Sequence, residues 1–325
     1  MNRRSFCIRT GAAVASAALP KMASAQNWPA RPIRMIVPFP AGGGTDAISR
    51  QLAEQLTAAT QWTIVIENRA GAGGNLGLEA VAKASGDGYT IGMGQAANLA
   101  INPSLYPRMP YDPLKDFALI SLVATQALVA VVSAKSAYHS LAELTAAAKA
   151  KPGTITISHT GNGTVGHLAA EIFARAAGIK ILIVPYKGAA QAMTDIVGGQ
   201  VDLLFGNPLA VMPLVGSGFL RPIAVTSMQR MPALTDVPTV DELGYRGFEA
   251  LNWSGLVAPA RTPEAVITRL SAEVDAALRR PEMIAKLSID GSEPFPSAPR
   301  QFAEFLGKEH AKWGAIIRDA GIKLE

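Results

Sequence analysis

The sequence predicts an α/β protein of two lobes joined by a two-strand hinge, and three observations lead there. A β-branched apolar run, a turn of glycine or small residues and a helical stretch follow one another at least four times. That alternation is the mark of parallel strands with crossover helices. The chain has 325 residues, and beyond roughly 250–300 residues a single core usually gives way to two. Two extended stretches, residues 119–132 and 248–257, are placed where the chain would leave and re-enter its first lobe. Residues 26–125 with 250–325 then form one domain, and 126–249 form the second, inserted into it. Two linkers between two lobes allow hinge closure over a ligand.

The repeating units run in order. Residues 33–37 lead to Gly42-Gly43-Gly44-Thr45-Asp46 and a helix to about Ala58. Residues 63–66 lead to Gly71-Ala72-Gly73-Gly74-Asn75 and a helix to about Ala84. Residues 154–158 lead to Gly161-Asn162-Gly163-Thr164 and a helix to Ala177, stopped by Gly178. Residues 181–184 lead to Tyr186-Lys187-Gly188 and a helix to about Val197, stopped by Gly198-Gly199. Further strands are expected at 90–93, 201–205, 223–226 and 254–257. Thr262-Pro263 starts a C-terminal helix that runs to about Arg280, with proline at its first position. A last helix covers 299–319, and Gly321 serves as its stop. The uncharged run 117–134 is long enough to raise the question of a membrane span. Its Ser121, Thr125, Gln126 and Ser133, together with its valines, fit two consecutive buried strands broken near Thr125-Gln126.

The N-terminus reads as an export signal. Arg3, Arg4 and Arg9 precede a stretch of small apolar residues at 11–19, and Ala23-Ser24-Ala25 stands just before Gln26. This is a signal peptide over residues 1–25, cleaved after Ala25, and its apolar run is too short to cross a bilayer. Arg3-Arg4-Ser5-Phe6 resembles a twin-arginine signal; that route and the general secretory route both stay open. The segment holds Arg3, Arg4, Arg9 and Lys21 and no acid, so the 30 basic residues fall to 26 against 25 acidic ones after cleavage. No basic patch for nucleic acid or anionic lipid is implied. Cys7, the single cysteine, leaves with the signal, which excludes a thiol nucleophile, a disulfide or a cysteine metal site from the mature chain. The mature protein is expected to be exported to the periplasm, monomeric and not membrane-inserted.

The glycine turns carry the chemistry. A strand running through a glycine turn into a helix leaves backbone N–H groups aimed at open space, at the positive end of the helix dipole. Such a turn binds a carboxylate or phosphate without an arginine, although glycines also simply make tight connections. Gly42-Gly43-Gly44-Thr45-Asp46 lacks the lysine of a P-loop. Leu76 occupies the third glycine position of a dinucleotide fingerprint in the second turn. The third turn, from Gly161 to Gly166, does match G-x-G-x-x-G between a strand and a helix. No acid follows about twenty residues on; Lys187 stands near there and would suit a 2′-phosphate. An exported dinucleotide-dependent oxidoreductase is therefore the alternative from another class. His139, His159, His167 and His310 have no metal-motif spacing, and neither H-E-x-x-H nor G-x-S-x-G occurs. No metal or cofactor is expected. Asp46 reads as a general base or, more commonly, a helix cap. Phe39 and Trp253 read equally as cleft walls or core.

Three first-lobe segments resemble the substrate-binding proteins of the tripartite tricarboxylate transporters, also called the Bug family, for Bordetella uptake gene. They are the stretch from Pro38 to Asp46, the stretch from Glu67 to Gly77, and Ile101-Asn102-Pro103-Ser104-Leu105-Tyr106. In the second lobe the stretch from Gly161 to His167 matches, as do Val184-Pro185-Tyr186-Lys187-Gly188, Gly199-Gln200-Val201-Asp202, Ala224-Val225-Thr226-Ser227 and Asp236-Val237-Pro238-Thr239-Val240. The resemblance implies a two-lobed, type II-like periplasmic binding-protein fold that holds a carboxylate by main-chain amides, hydroxyls and water. It implies a membrane permease of the same transporter type as partner, with a sensory partner as the alternative, and no catalysis. Family ligands include di- and tricarboxylates, acidic amino acids and aromatic carboxylates. Gly206 and Asn207 stand where many relatives carry an acid, which disfavours an amino-acid ligand. The expected site has one carboxylate against Ala41, Gly42, Gly43, Gly44, Thr45 and Asp46, with Phe39 at the mouth. Gln95, Ala97 and Asn98 contribute from the hinge side. Thr160, Gly161, Asn162, Gly163, Thr164 and Tyr186 close from the second lobe, with Asn207 beside them.

Overall fold

Why the strands form two sheets follows from where their apolar runs can be covered. The computed structural model describes residues 28–186, 188–289 and 291–323; the expected signal peptide and Lys187 lie outside the described residues. One sheet holds β1 (Ile33–Val37), β2 (Ile64–Asn68), β3 (Thr90–Gln95), β4 (Phe117–Ala127), β10 (Leu251–Pro259) and β11 (Ser292–Pro294), in the order β11-β4-β10-β3-β1-β2. The other holds β5 (Val129–Ser133), β6 (Thr156–His159), β7 (Leu182–Pro185), β8 (Leu203–Gly206) and β9 (Leu220–Val225), in the order β7-β6-β8-β5-β9. The sheets are mixed. β1, β2 and β3 run parallel, as do β6, β7 and β8. β4, β5 and β10, the strands nearest the hinge, pair antiparallel. The strand–turn–helix repeat accounts for the parallel part only, because these three strands are joined to their neighbours by no crossover helix.

The helices in chain order are α1 (Gly44–Thr60), α2 (Asn75–Ala82), α3 (Asn102–Leu105), α4 (Leu141–Ala150), α5 (Val165–Ala177), α6 (Ala189–Val197), α7 (Pro208–Gly216), α8 (Glu264–Leu278), α9 (Pro281–Ser288) and α10 (Pro299–Ala320). α1 buries Ile48, Leu52 and Leu56, spaced one turn apart, against a cluster that includes Ile267, Leu270 and Val274 of α8. α10 covers the opposite side of the same lobe with Phe302, Leu306, Trp313 and Ile317. That second cluster continues without a break into the other lobe through Leu168, Ala169 and Phe173 of α5. Gly178 and Gly321 end α5 and α10 in the left-handed conformation (φ 60° and 64°), the stops expected of them.

Several elements differ from the expectation. The uncharged run does form two strands, but the break falls at Leu128, not at Thr125-Gln126. Leu128 leaves the ladder because its N–H donates to Thr226 Oγ1 and its carbonyl accepts from Thr226 N–H. The sequence patterns give no expectation of α3, α4, α7, α9 or β11. α7 carries Pro208 and Pro213 and reads locally as a loop. α4 had a readable start: Ser140 Oγ accepts from Glu143 N–H while the Glu143 carboxylate accepts from His139 N–H.

Gly255 shows how tightly the central strand is overlaid. A Cβ there would lie 2.4 Å from Cζ of the fully buried Phe302 on α10. Gly255→Ala should therefore lower stability by about 1–3 kcal/mol, measured as a lower urea midpoint at unchanged slope.

Candidate ligand-binding cleft

Between the two sheets lies a cleft of about 320 Å³, small among ligand pockets, which run from about 300 to 1,000 Å³. Its floor comes from the strands nearest the hinge: Ala124, Thr125 and Gln126 of β4, and Asn252, Trp253 and Ser254 of β10. One wall is the start of α1, with Gly44, Thr45 and Ile48, backed by Gln95 at the end of β3. The other wall is the second lobe, with Ala189 at the start of α6 and Asn207, Leu209 and Ala210 at the start of α7. Ser292 completes the rim. Among the described residues, none that lines the cleft carries a formal charge.

Three helix N-termini thus face one small space. The first intrahelical bond of α1 runs from Ala47 N–H to the Gly43 carbonyl, so the N–H groups before Ala47 have no helix partner. Gln95 Nε2 donates to Thr45 Oγ1, leaving the Thr45 hydroxyl proton to donate elsewhere. Gln95 is itself held at its other end, where its side chain accepts from Asn98 N–H and its N–H donates to Asn98 Oδ1. Across the cleft, Asn252 Nδ2 donates to Asn207 Oδ1 at 3.3 Å, linking β10 to the start of α7. Thr125 Oγ1 donates to the Asn252 carbonyl, and Gln126 Nε2 donates to Ser292 Oγ. Ser254 Oγ is buried with no hydrogen-bond partner among the described residues.

Of the residues expected at the site, Gly44, Thr45, Gln95 and Asn207 line this cleft. The structure places the others behind it or away from it. Asp46 is 3% exposed and accepts from Gly42 N–H and Arg50 Nε at Oδ2 and from Asn68 Nδ2 at Oδ1. The hydrogen bond from Arg50, aided by those from Gly42 and Asn68, outweighs burial and holds its carboxyl at about pKa 2. Asp46 therefore braces the glycine turn and is unsuited to act as a base. Phe39 is half-buried near Gly74, and Ala41, Gly42 and Gly43 form the exposed turn before α1. Ala97 and the fully buried Asn98 belong to a wide helical turn, Ala96–Ile101. The Tyr186 hydroxyl donates to Asp195 at 2.6 Å; burial first, then Asp195, push it up to about 12.

The 160–164 turn is committed to its own lobe. His159 Nδ1 accepts from Gly161 N–H and His167 Nδ1 from Gly163 N–H, both at 3.2 Å. The two rings stack with centroids 4.2 Å apart. Thr164 caps α5, its hydroxyl accepting from His167 N–H and donating to the Gly161 carbonyl. Thr160 is half-buried and Asn162 exposed beside this turn. A Cβ on Gly163 would meet Leu105 of the first lobe at 2.4 Å. The amides of Gly161 and Gly163 are thus already bonded within this G-x-G-x-x-G turn, which leaves it fewer donors for a pyrophosphate.

Residues of the lining without a signal in the sequence are most of the floor, Ala189 at the start of α6, and Leu209 and Ala210 beside the expected Asn207 at the start of α7. The floor was within reach: both strands had been assigned to the hinge, and residues where two lobes join face the space between them. Trp253 sits at that floor, but its ring packs on Phe302 and Phe305, and Nε1 donates to Glu309.

Two α/β lobes around a small polar cleft at a paired-strand junction define a two-lobed solute-binding protein of the periplasmic type. Comparison with known proteins agrees. The profile of the tripartite tricarboxylate transporter family receptor matches residues 48–322, and the chain belongs to that family. It is 37% identical to Protein BugT of Bordetella pertussis over 326 residues, covering all of both chains. Among solved structures it is similar to R. palustris Rpa4515 with adipate: 35% identity, TM-score 0.81, 91% of this chain and 99% of that one. It is also similar to MatC from Rhodopseudomonas palustris with bound malate: 28% identity, TM-score 0.76, 89% of this chain and 100% of that one.

The buried histidines give the protein a pH dependence. Burial, and secondarily the charge of His159, hold His167 at about 4 against an ordinary 6.5; burial also lowers His159. The unfolded chain binds protons that the native one refuses, so stability is full above about pH 6.5 and falls as pH drops toward 4. Urea midpoints measured across this range should show that loss, and His167→Gln should flatten the slope.

Proposed function

We propose that the protein captures a small carboxylate, a di- or tricarboxylate or a compact aromatic acid without an ammonium group, between its lobes in the periplasm. The carrying observation is the uncharged cleft of about 320 Å³ bounded by the starts of α1, α6 and α7. Helix N-termini favour anions, and two opposed sets suit a ligand anionic at both ends. A ligand ammonium would find no carboxylate among the described residues of the wall, and an unpaired ammonium is costly. Each hydrogen bond to a charged group contributes about 1.5–3 kcal/mol, so three or four support micromolar binding, about 8 kcal/mol, after association costs. The two solved relatives were seen with adipate and malate, acids of this kind. Such a protein binds and releases its ligand unchanged.

Calorimetry with four- to six-carbon dicarboxylates, citrate, nicotinate, their primary amides and aspartate tests this reading. At least one acid should bind in the micromolar range, its amide roughly tenfold or more weaker, and aspartate more weakly than succinate. Amides that bind as well as acids would overturn the carboxylate assignment.

Family membership supports delivery to a two-component membrane permease, and the leader pattern supports export with cleavage after Ala25. Among the described residues no helix is long and apolar enough to cross a membrane. Protein recovered from the periplasm should start at Gln26 by N-terminal sequencing, and in its liganded form should retain a permease from solubilised membranes. Retention of a sensor kinase and no permease would replace transport with signalling.

A further inference from the structure

We propose that Ser254 is a specificity-determining residue whose hydroxyl completes the neutral donor set for the ligand carboxylate; this rests on the carboxylate reading above. Ser254 lies on β10, is 2% exposed and lines the cleft floor, yet its Oγ has no hydrogen-bond partner among the described residues. A buried hydroxyl without a partner is unfavourable and calls for an explanation. The neighbouring polar side chains are already engaged: Gln95 with Thr45, Asn252 with Asn207, Thr125 with the Asn252 carbonyl.

The strand register gives the hydroxyl its place. Ser254 is paired directly with Gln95 of β3, and directly opposed residues share one face of a sheet. Gln95 reaches Thr45 from that face, so Ser254 lies beneath the start of α1. On its other side the partner is Ala124 of β4, too small to overhang it. The donors gathered there are the amides of Gly44 and Thr45, the Thr45 hydroxyl and the Ser254 hydroxyl. A carboxylate only accepts and offers about four lone-pair sites, so the four donors match it. A primary amide presents an NH₂ to at least one of them and loses that match.

Ser254→Ala and Ser254→Cys test the assignment, with succinate, malate and adipate as probes and their amides as controls. For the acid that binds wild type best, the Kd should rise about tenfold or more in Ser254→Ala, while amide affinity stays unchanged. Cysteine keeps the shape but donates weakly, so Ser254→Cys should bind about as weakly. The thermal midpoint of the unliganded Ser254→Ala protein should equal or exceed that of wild type, because an unsatisfied group has been removed, whereas the ligand-induced rise should shrink. An unchanged Kd in Ser254→Ala, or wild-type affinity in Ser254→Cys, would overturn the proposal. So would a lower unliganded midpoint with acid and amide weakened alike, which would make the hydroxyl structural. Wild-type protein that binds none of the acids would instead sink the carboxylate reading, and this proposal with it.

Discussion

The antiparallel pairing of β10 with β4, from Leu251 against Ala127 to Pro259 against Phe117, is the contact on which the arrangement of the site depends. Each of these strands adjoins the passage between lobes: β4 is followed after Leu128 by β5 of the second sheet, and β10 begins just after Ala250, which bonds to Thr226. Because they are hydrogen-bonded side by side, the hinge is a two-stranded ribbon rather than two independent linkers. The cleft floor is the face of that ribbon. The pairing shifts register twice, at Ser254/Gly255 and Leu256/Val257. Gly255 between them lets Phe302 close against the opposite face.

Among its described residues the cleft wall is uncharged, which spares the open cleft an unpaired buried charge. An arginine buried in the cleft would need a counterion whenever the ligand left, and an unpaired buried charge is strongly destabilising. Helix N-termini carry partial positive charge within the backbone, need no counterion and attract anions over only a turn or so. The one acid at the α1 start is turned away from the cleft and neutralised by Arg50. It holds the Gly42 amide and Asn68, and so fixes the turn that presents Gly44 and Thr45. Charge here shapes the turn.

The second lobe uses a different device. Its glycine turn at 160–164 is stabilised by two stacked neutral imidazoles that accept the amides the turn would otherwise present. The same kind of sequence, a strand and glycines before a helix, thus leaves the Gly44 and Thr45 amides outside the helix ladder at α1 and ties the Gly161 and Gly163 amides to imidazoles at α5. The difference lies in the residues behind the turn. His159 and His167 have acceptor nitrogens in reach of the Gly161 and Gly163 amides, whereas behind the first turn Asp46 takes only the amide of Gly42.

The sequence by itself determined the α/β class, the two lobes, the helix stops at Gly178 and Gly321, and the α1 start as an anion-favouring end. Those features are local: β-branched runs, glycine backbone freedom and helix periodicity operate over a few residues and are written in order along the chain. The place of Gly44 and Thr45 on the cleft wall was legible for that reason, at a glycine turn before a helix, whereas Asn207 was expected from the family resemblance. Only the tertiary structure decided which glycine amides are taken up by side chains, where the uncharged run breaks, and what forms the floor. The break at Leu128 depends on Thr226, almost a hundred residues away. The fate of the 161–163 amides depends on how two histidine rings pack, and Ser254 faces the cleft because of its register against Gln95. These outcomes are set by long-range pairing and side-chain packing, which no local pattern in the chain encodes.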